Sequence, residues 1–196
     1  MSRRASRERQ TSETSVNVSV SLDDAGCGRM ATGLPFFDHM LNTMQLAGGF
    51  SFAVEAQGDL SVDDHHLVED CALTLGTALD AALGLRRGIV RTSSAYGLLD
   101  EALVRAVVDL SGRPFAAVRL DFRREQLGGF ATENITHFFQ SLAMRLGASI
   151  HVRCLAAEND HHRAEAAFKA VGMAIGQAMR LSGSDSVPST KGTLTC

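Results

Sequence analysis

The feature that most restricts the fold of this chain is a short segment that occurs twice. In VDDHHLVED, residues 62–70, two adjacent histidines stand among four carboxylates, and ENDHHRAEA, residues 158–166, repeats the arrangement. The first histidines of the two doublets, His65 and His161, are 96 residues apart (161 − 65), and so are the glutamates that follow them. The chain has only seven histidines in 196 residues, so this agreement predicts an internal duplication rather than chance.

Two further histidines obey the same repeat. His39 precedes the first doublet and His137 precedes the second, and they are 98 residues apart (137 − 39). Only His151, in a predicted strand, stands outside the pattern. We interpret the chain as an ancient gene duplication in which each half carries one lone histidine and one H-H-x-x-E segment.

The predicted elements follow the same order in both halves. Alternating apolar residues indicate strands, and apolar residues at helical spacing indicate helices. In the first half the pattern predicts strand, helix, strand and long helix at residues 15–22, 34–48, 50–58 and 64–84. In the second half it predicts strands at residues 102–111, 114–122 and 148–156, and helices at residues 131–147 and 160–179. Asp63 or Asp64 can cap the first long helix, and Gly84 can end it.

This order predicts an α+β fold of internally duplicated β-α units. Each sheet must bury one face under helices, so the economical packing is one layer of four helices between two sheets. We assign residues 11–98 to the first α/β half and residues 99–192 to the second, within one compact duplicated domain. Residues 1–10 and 193–196 are predicted to be flexible tails.

Composition excludes several classes of protein. A formal net charge of −3 gives no electrostatic footprint for nucleic acid. The basic segment SRRASRERQ is predicted to be disordered, with an RNA- or membrane-binding arm as the alternative. No apolar stretch reaches the roughly 18 residues of a membrane span, and the segment MSRRASRERQTSET lacks the apolar h-region expected of a signal peptide. The four cysteines are scattered, which is typical of reduced thiols in a cytoplasmic protein rather than of a zinc knuckle.

The repeated segment has the spacing of a metal site. His65 and Glu69 are four residues apart and therefore lie on one face of a helix. Adjacent histidines differ by about 100° around the helix axis, so His65 and His66 are expected to serve different ions or different sides of a bimetallic site. One doublet alone is more often a solvated cap or a partly buried core residue than a ligand. Two doublets with matched glutamates and matched lone histidines favour metal binding.

The candidate ligands suit catalysis better than structural support. Imidazole and carboxylate together suit first-row divalent ions such as manganese, iron or zinc, and the donors suffice for two ions with positions left open. The predicted ligands are His39, His65, His66, Glu69, His137, His161, His162 and Glu165. A single subunit need not bring all eight together, so a site shared between subunits is an open alternative.

Five ordered motifs together resemble those of a known family. They are TGLPFFDHML (32–41), GDLSVDDHHLVED (58–70), DEALVRAVVDLSGRP (100–114), ENDHHRAEAAFKA (158–170) and VPSTKG (187–192). This set resembles the imidazoleglycerol-phosphate dehydratase family of histidine biosynthesis. The resemblance implies a ribosomal protein S5 domain 2-like fold in which two four-stranded sheets enclose the helices. It also implies the same eight ligands, two Mn²⁺ ions per active site and a 24-subunit shell built from trimers, with active sites between subunits.

The family reaction dehydrates D-erythro-imidazole-glycerol phosphate to imidazole-acetol phosphate. The proton to be lost is not acidic, so the resemblance implies a metal-bound imidazolate that expels the hydroxyl through a diazafulvene-like intermediate. It assigns Glu13 to the substrate site, and Glu13 and Glu69 are the candidates for moving protons. The implied phosphate contacts are Arg91, Arg113, Ser189 and Lys191.

Two other functions remain open on the residues alone. A dinuclear phosphohydrolase also uses histidine and carboxylate clusters with a basic phosphate site, but it directs water at phosphorus. A metal-storing shell protein would need closed metal sites and no phosphate contacts.

Overall fold

The computed structural model describes residues 3–194, and its elements follow the duplicated order. The helices are α1 (Pro35–Gly48), α2 (His65–Leu83), α3 (Glu133–Leu146) and α4 (Asp160–Met179). The strands of the first half are β1 (Arg4–Gln10), β2 (Thr14–Ser21), β3 (Met30–Ala31) and β4 (Ser51–Gly58). The remaining strands are β5 (Thr92–Leu99), β6 (Ala102–Asp109), β7 (Phe115–Arg119), β8 (Gln126–Leu127), β9 (Phe130–Ala131) and β10 (Ser149–Ala156).

The two large sheets have the same topology. Their strand orders are β1-β2-β4-β3 and β5-β6-β10-β7, and β8 and β9 form a separate small hairpin. Within each large sheet the first three strands are antiparallel, while the fourth strand runs parallel to its neighbour. This agreement in order and direction is the structural counterpart of the histidine repeat.

The four helices lie between the two sheets, which confirms the predicted fold class. Helix α2 packs on the first sheet and α4 on the second, while α1 contacts α4 and α2 contacts α3. Alternate residues of β2 point inward and are buried, as for Val16 and Val18, because only one face of the sheet is covered. No helix within residues 3–194 is long and apolar enough to cross a membrane.

Glycines allow α1 and α4 to approach closely. A Cβ atom on Gly172 of α4 would overlap the carbonyl oxygen of Met44, and one on Gly176 would overlap that of Gly48. The backbones are therefore in direct contact along this pair. The contact sets the distance between the histidines that the two helices carry.

The N-terminal segment is ordered, in contrast to the predicted tail. Residues 4–10 pair with β2 along their whole length as the edge strand of the first sheet. Arg9 forms an ion pair with Asp70 and Arg3 one with Asp23, so these two arginines have partners within the chain. An edge strand can carry charged residues without apolar alternation, which is why the sequence pattern did not reveal it. Residues 1–2 of the predicted tail lie outside the described residues.

The division between the halves also differs from the prediction. β5 pairs with β6 over residues 92–99, so it belongs to the second sheet, and a boundary at residues 98/99 would cut through it. The repeated unit therefore begins before Thr92. At the other end Leu194 is buried, which does not fit a flexible tail, and residues 195–196 lie outside the described residues.

Candidate metal centre

The first cluster, called here the first triad, consists of His39, His161 and Glu165. His39 comes from α1, and the other two come from the first turns of α4. Glu165 Oε2 lies 3.2 Å from His39 Nε2 and 3.4 Å from His161 Nε2. Both imidazoles therefore face one carboxylate oxygen.

The other oxygen of Glu165 is held by a lysine. Lys169, one helical turn later, places Nζ 2.9 Å from Oε1. Burial alone would raise the pKa of the Glu165 carboxyl, but the hydrogen bond and charge of Lys169, together with His39, lower it below its usual range. Glu165 is thus kept anionic. The sequence prediction missed Lys169, although its position four residues after Glu165 was an available signal.

The second triad consists of His65, Glu69 and His137. His65 and Glu69 lie in the first turns of α2, and His137 lies on α3. Glu69 Oε1 is 3.1 Å from His137 Nε2, and the His65 and His137 rings stack with their centroids 4.5 Å apart. This cluster repeats the composition of the first triad.

The pairing of the halves is crossed. Each triad combines the lone histidine of one half with the doublet histidine and glutamate of the other, because α1 packs on α4 and α2 on α3. Spacing along the chain predicts the ligand types but does not say which helices face each other.

Each triad has donors that fit a divalent metal. Its three ligand atoms lie within 4.8 Å of one another, and its side chains are partly exposed rather than sealed in the core. Two imidazoles and one carboxylate suit a first-row divalent ion, and three protein ligands leave coordination positions open.

The second histidine of each doublet points elsewhere, as the helical geometry predicts. His66 Nδ1 lies 3.0 Å from Asp59 Oδ2 and 3.6 Å from Glu13 Oε2, and these three residues form a third cluster. His162 Nδ1 lies 2.7 Å from Glu101 Oε2. The carboxylates raise the pKa of both imidazoles, and the hydrogen bond from His162 lowers the pKa of Glu101 to about 2. Sequence reasoning did not identify Asp59 or Glu101.

The two aspartates before α2 have different roles. Asp63 accepts a hydrogen bond from the backbone N–H of His65 at 2.9 Å, whereas Asp64, at the N-cap position of α2, makes no side-chain cap hydrogen bond. Asp64 instead accepts from the backbone N–H of Ala131 and from Asn134 Nδ2, at 2.8 and 2.9 Å. Asn134 Oδ1 in turn lies 3.1 Å from His65 Nδ1. Asn134, at the start of α3, therefore orients His65, and Asp64 holds Asn134.

The predicted phosphate contacts are only partly brought together. Arg91 binds both carboxylate oxygens of Asp109 and donates to the carbonyl of Pro188 at 2.7 Å, which ties it to the segment carrying Ser189 and Lys191. Asp109 raises the pKa of Arg91 through this hydrogen bond. Lys191 is exposed.

Arg113 is the fourth predicted phosphate contact. It is exposed in the turn before β7, and no hydrogen bond joins its guanidinium to the other three predicted contacts in the part of the chain that the structure describes. Its backbone carbonyl accepts a hydrogen bond from the hydroxyl of Ser149, which pairs across the sheet with Asp109, the partner of Arg91.

Comparison with known proteins identifies the family. The family model described as Imidazoleglycerol-phosphate dehydratase matches residues 32–175. The chain belongs to this family. Its members are dehydratases of histidine biosynthesis, so the resemblance carried by the five motifs is confirmed.

Relatives match nearly the whole chain. An imidazoleglycerol-phosphate dehydratase from Metallosphaera sedula is 47% identical over 194 residues, covering 99% of this chain and 100% of that protein. One from Eremothecium gossypii is 52% identical over 163 residues, covering 83% of this chain and 74% of that protein.

Solved structures of the family share the fold. The enzyme from Pyrococcus furiosus, in complex with (S)-C348, has a TM-score of 0.83 and 37% identity, covering 96% of this chain and 100% of that one. The Staphylococcus aureus enzyme has a TM-score of 0.82 and 33% identity, covering 91% and 99%. The ligand roles of the individual histidines and glutamates stay predictions.

Proposed function

We propose that this protein dehydrates D-erythro-imidazole-glycerol phosphate to imidazole-acetol phosphate, with two Mn²⁺ ions per active site. The observation that carries the proposal is the pair of triads, which combine predicted ligands from both halves in a chain that belongs to this family. The elimination route implied by the resemblance is part of the proposal.

His39, His161 and Glu165 would hold one manganese ion, and His65, Glu69 and His137 would hold the other. Manganese bound in these triads supplies a Lewis acid and a template for the substrate. His66 and His162 lie outside both triads of their own chain, which supports the proposal that they complete sites of neighbouring subunits. Such sharing would build the active sites between subunits of the 24-subunit shell.

The reaction removes one proton and one hydroxyl group, so the chain must supply groups that accept and donate protons. Glu13 is suited to this task because its carboxylate is about half exposed and lies 3.6 Å from His66 Nδ1, too far for a hydrogen bond. Glu69 faces His137 at 3.1 Å, which favours a ligand role. We therefore assign proton transfer to Glu13.

The phosphate of the substrate would be bound by Arg113, Ser189 and Lys191. Arg91 has three of its nitrogens engaged by Asp109 and Pro188, so its first task is to hold the C-terminal segment in place. Its remaining N–H groups can still reach an anion, since a guanidinium has five donors.

The test is to incubate manganese-loaded and metal-free protein with imidazole-glycerol phosphate and to assay the ketone product. We expect the ketone only in the manganese-loaded sample. Release of inorganic phosphate would instead identify a phosphohydrolase. Bound manganese without conversion of the substrate would favour a metal-storing shell.

A further inference from the structure

The hairpins that precede the two doublets form part of the duplication. β2 and β6 begin 88 residues apart (102 − 14), and Glu13 and Glu101, at the ends of the β1–β2 and β5–β6 hairpins, have the same separation (101 − 13). Each glutamate faces the second histidine of its own half. Glu101 Oε2 is 2.7 Å from His162 Nδ1, whereas Glu13 Oε2 is 3.6 Å from His66 Nδ1.

The distance between glutamate and histidine differs between the two halves because of Asp59. Its Oδ2 occupies the hydrogen-bonding position at His66 Nδ1, at 3.0 Å. The strands before the two loops, β4 and β10, begin 98 residues apart (149 − 51), which places Ala157 where the first half has Asp59. The second half therefore has no such aspartate, and its hairpin glutamate makes the contact instead.

We propose that Asp59 and Glu101 are positioning residues, which hold His66 and His162 through Nδ1 and so present each Nε2 as a metal ligand. By making this contact, Asp59 also leaves Glu13 free to act on the substrate. The inference rests on the proposed function for the identity of the metal. It assigns different tasks to two glutamates that occupy equivalent places in the duplication.

The tautomer of the imidazole explains how a carboxylate at Nδ1 presents Nε2 to a metal ion. A neutral imidazole carries one N–H, so a ring that donates from Nδ1 has its lone pair at Nε2. A carboxylate on the far nitrogen also fixes the ring orientation and raises its basicity as a ligand.

The carboxylate of Glu101 is itself held in place. Glu101 Oε1 accepts the backbone N–H groups of Glu158 and Asn159 at 3.2 and 2.8 Å, which suits a positioning role. Asp59 Oδ1 is buried and accepts no hydrogen bond from the described residues, so the contact of Oδ2 with His66 is the one that orients this carboxylate.

The experiment measures manganese binding by equilibrium dialysis at about pH 8, where imidazole is ordinarily neutral. In Asp59→Ala the metal site that His66 completes should bind manganese about 10- to 100-fold more weakly, and in Glu101→Ala the same should hold for the site that His162 completes. In each variant the other metal site should keep its affinity. Asp59→Asn and Glu101→Gln should recover most of the loss, because an amide oxygen still accepts from Nδ1. Glu158→Ala is the matched control, since this exposed glutamate lies beside Glu101 and its side chain makes none of these contacts.

A second measurement separates the two glutamates. Without Asp59, the Glu13 carboxylate can move to hydrogen-bonding distance of His66 Nδ1, and a Glu13 carboxylate bound there is no longer free to act on the substrate. At saturating manganese, kcat of Asp59→Ala should therefore lie about tenfold or more below that of Glu101→Ala.

The outcomes distinguish this inference from the proposed function. Wild-type protein that binds no manganese would overturn the proposed function. Wild-type protein that binds two ions per subunit, with alanine variants that match the Glu158→Ala control, would overturn the positioning roles alone. Equal kcat values for the two alanine variants at saturating manganese would overturn the assignment of Glu13.

Discussion

Single side chains distinguish the two triads, although their composition is the same. Glu165 shares one oxygen between two imidazoles and gives the other to Lys169, whereas Glu69 has His137 as its one ion-pair partner among residues 3–194. A cation beside a metal ligand opposes the binding of a second cation. The second triad is therefore the one expected to bind manganese first.

Replacement of Glu13 tests the proton-transfer role at the scale of one residue. Glu13→Gln should lower kcat by about 10²- to 10⁴-fold, because the amide cannot exchange a proton. Manganese affinity of the two triads should stay unchanged, since Glu13 belongs to neither of them and lies in the third cluster, with Asp59 and His66. Steady-state kinetics and equilibrium dialysis measure the two effects, with Glu8→Gln, an exposed glutamate on β1, as the control. Near-normal turnover in Glu13→Gln would exclude the role.

The ion pair of Arg3 with Asp23 predicts a pH-dependent contribution to stability. The hydrogen bond from Arg3 lowers the pKa of Asp23 in the folded protein, so the contribution is present above the unfolded pKa of about 4 and disappears as pH falls through the lower folded pKa. Asp23→Asn should therefore lower the free energy of unfolding by at most about 1 kcal/mol at neutral pH. Near pH 2 the variant and the wild type should be equally stable.

Urea unfolding at the two pH values checks this prediction. Asp24→Asn serves as the comparison, because its pair with Arg4 is longer, at 3.9 Å, and exposed. A difference between Asp23→Asn and wild type that persists at pH 2 would show that the effect does not come from the ionised carboxylate.

At the scale of elements, the contact between α1 and α4 predicts the effect of one methyl group. Gly176→Ala places a Cβ atom against the carbonyl oxygen of Gly48, so the helices must separate. We expect a loss of about 1–3 kcal/mol in the free energy of unfolding. Manganese affinity of the first triad should fall as well, because α1 carries His39 and α4 carries its two partners.

Urea unfolding and manganese titration measure these two losses. Gly26→Ala is the control, since its added methyl group meets only the flexible side chain of Asp24. An unchanged unfolding free energy in Gly176→Ala would mean that the helix pair is not held at this distance by the glycines.

Sequence periodicity predicted the elements that face the core. All four helices and β2, β4, β6, β7 and β10 were predicted within a few residues, because each buries one face and so has regular apolar spacing. β1 was missed because its outward and edge positions carry charged residues, and β5 because TSSAYGLL has too few apolar residues to alternate.

The sequence identified the residues of the two triads but not which helices bring them together. The repeat identified the histidines and glutamates of both triads, yet the crossed pairing depends on how the helices pack, which spacing does not encode. Asp59 and Asn134 were missed because each acts through a contact that a single motif does not contain. Glu101 carried a usable signal, its separation of 88 residues from Glu13 (101 − 13).

For the whole molecule, the proposed sharing of His66 and His162 between subunits predicts that metal holds the assembly together. A ligand bound by the assembled form stabilises that form by mass action. Treatment with a chelator should therefore convert the large particle to trimers, and added manganese should restore it. Analytical ultracentrifugation measures both changes.

Removal of the two histidines proposed to be shared should have the same result as chelation. The double variant His66→Ala/His162→Ala should sediment as trimers even with manganese present, whereas His151→Ala, in an exposed strand position outside the repeat, should not. A large particle that persists in chelator would contradict sharing of the metal ligands.

The crossed triads also bear on how the duplicated chain arose. A polypeptide of half this length would have carried a lone histidine and a doublet that cannot meet within it, because each lone histidine reaches the doublet of the opposite half. Such an ancestor could hold metal only as a homodimer, with two identical centres across its twofold axis. Fusion of the two copies turned an encounter between molecules into a fixed intramolecular contact. From then on Asp59 and Ala157 were free to differ, and two formerly identical centres could take on separate roles.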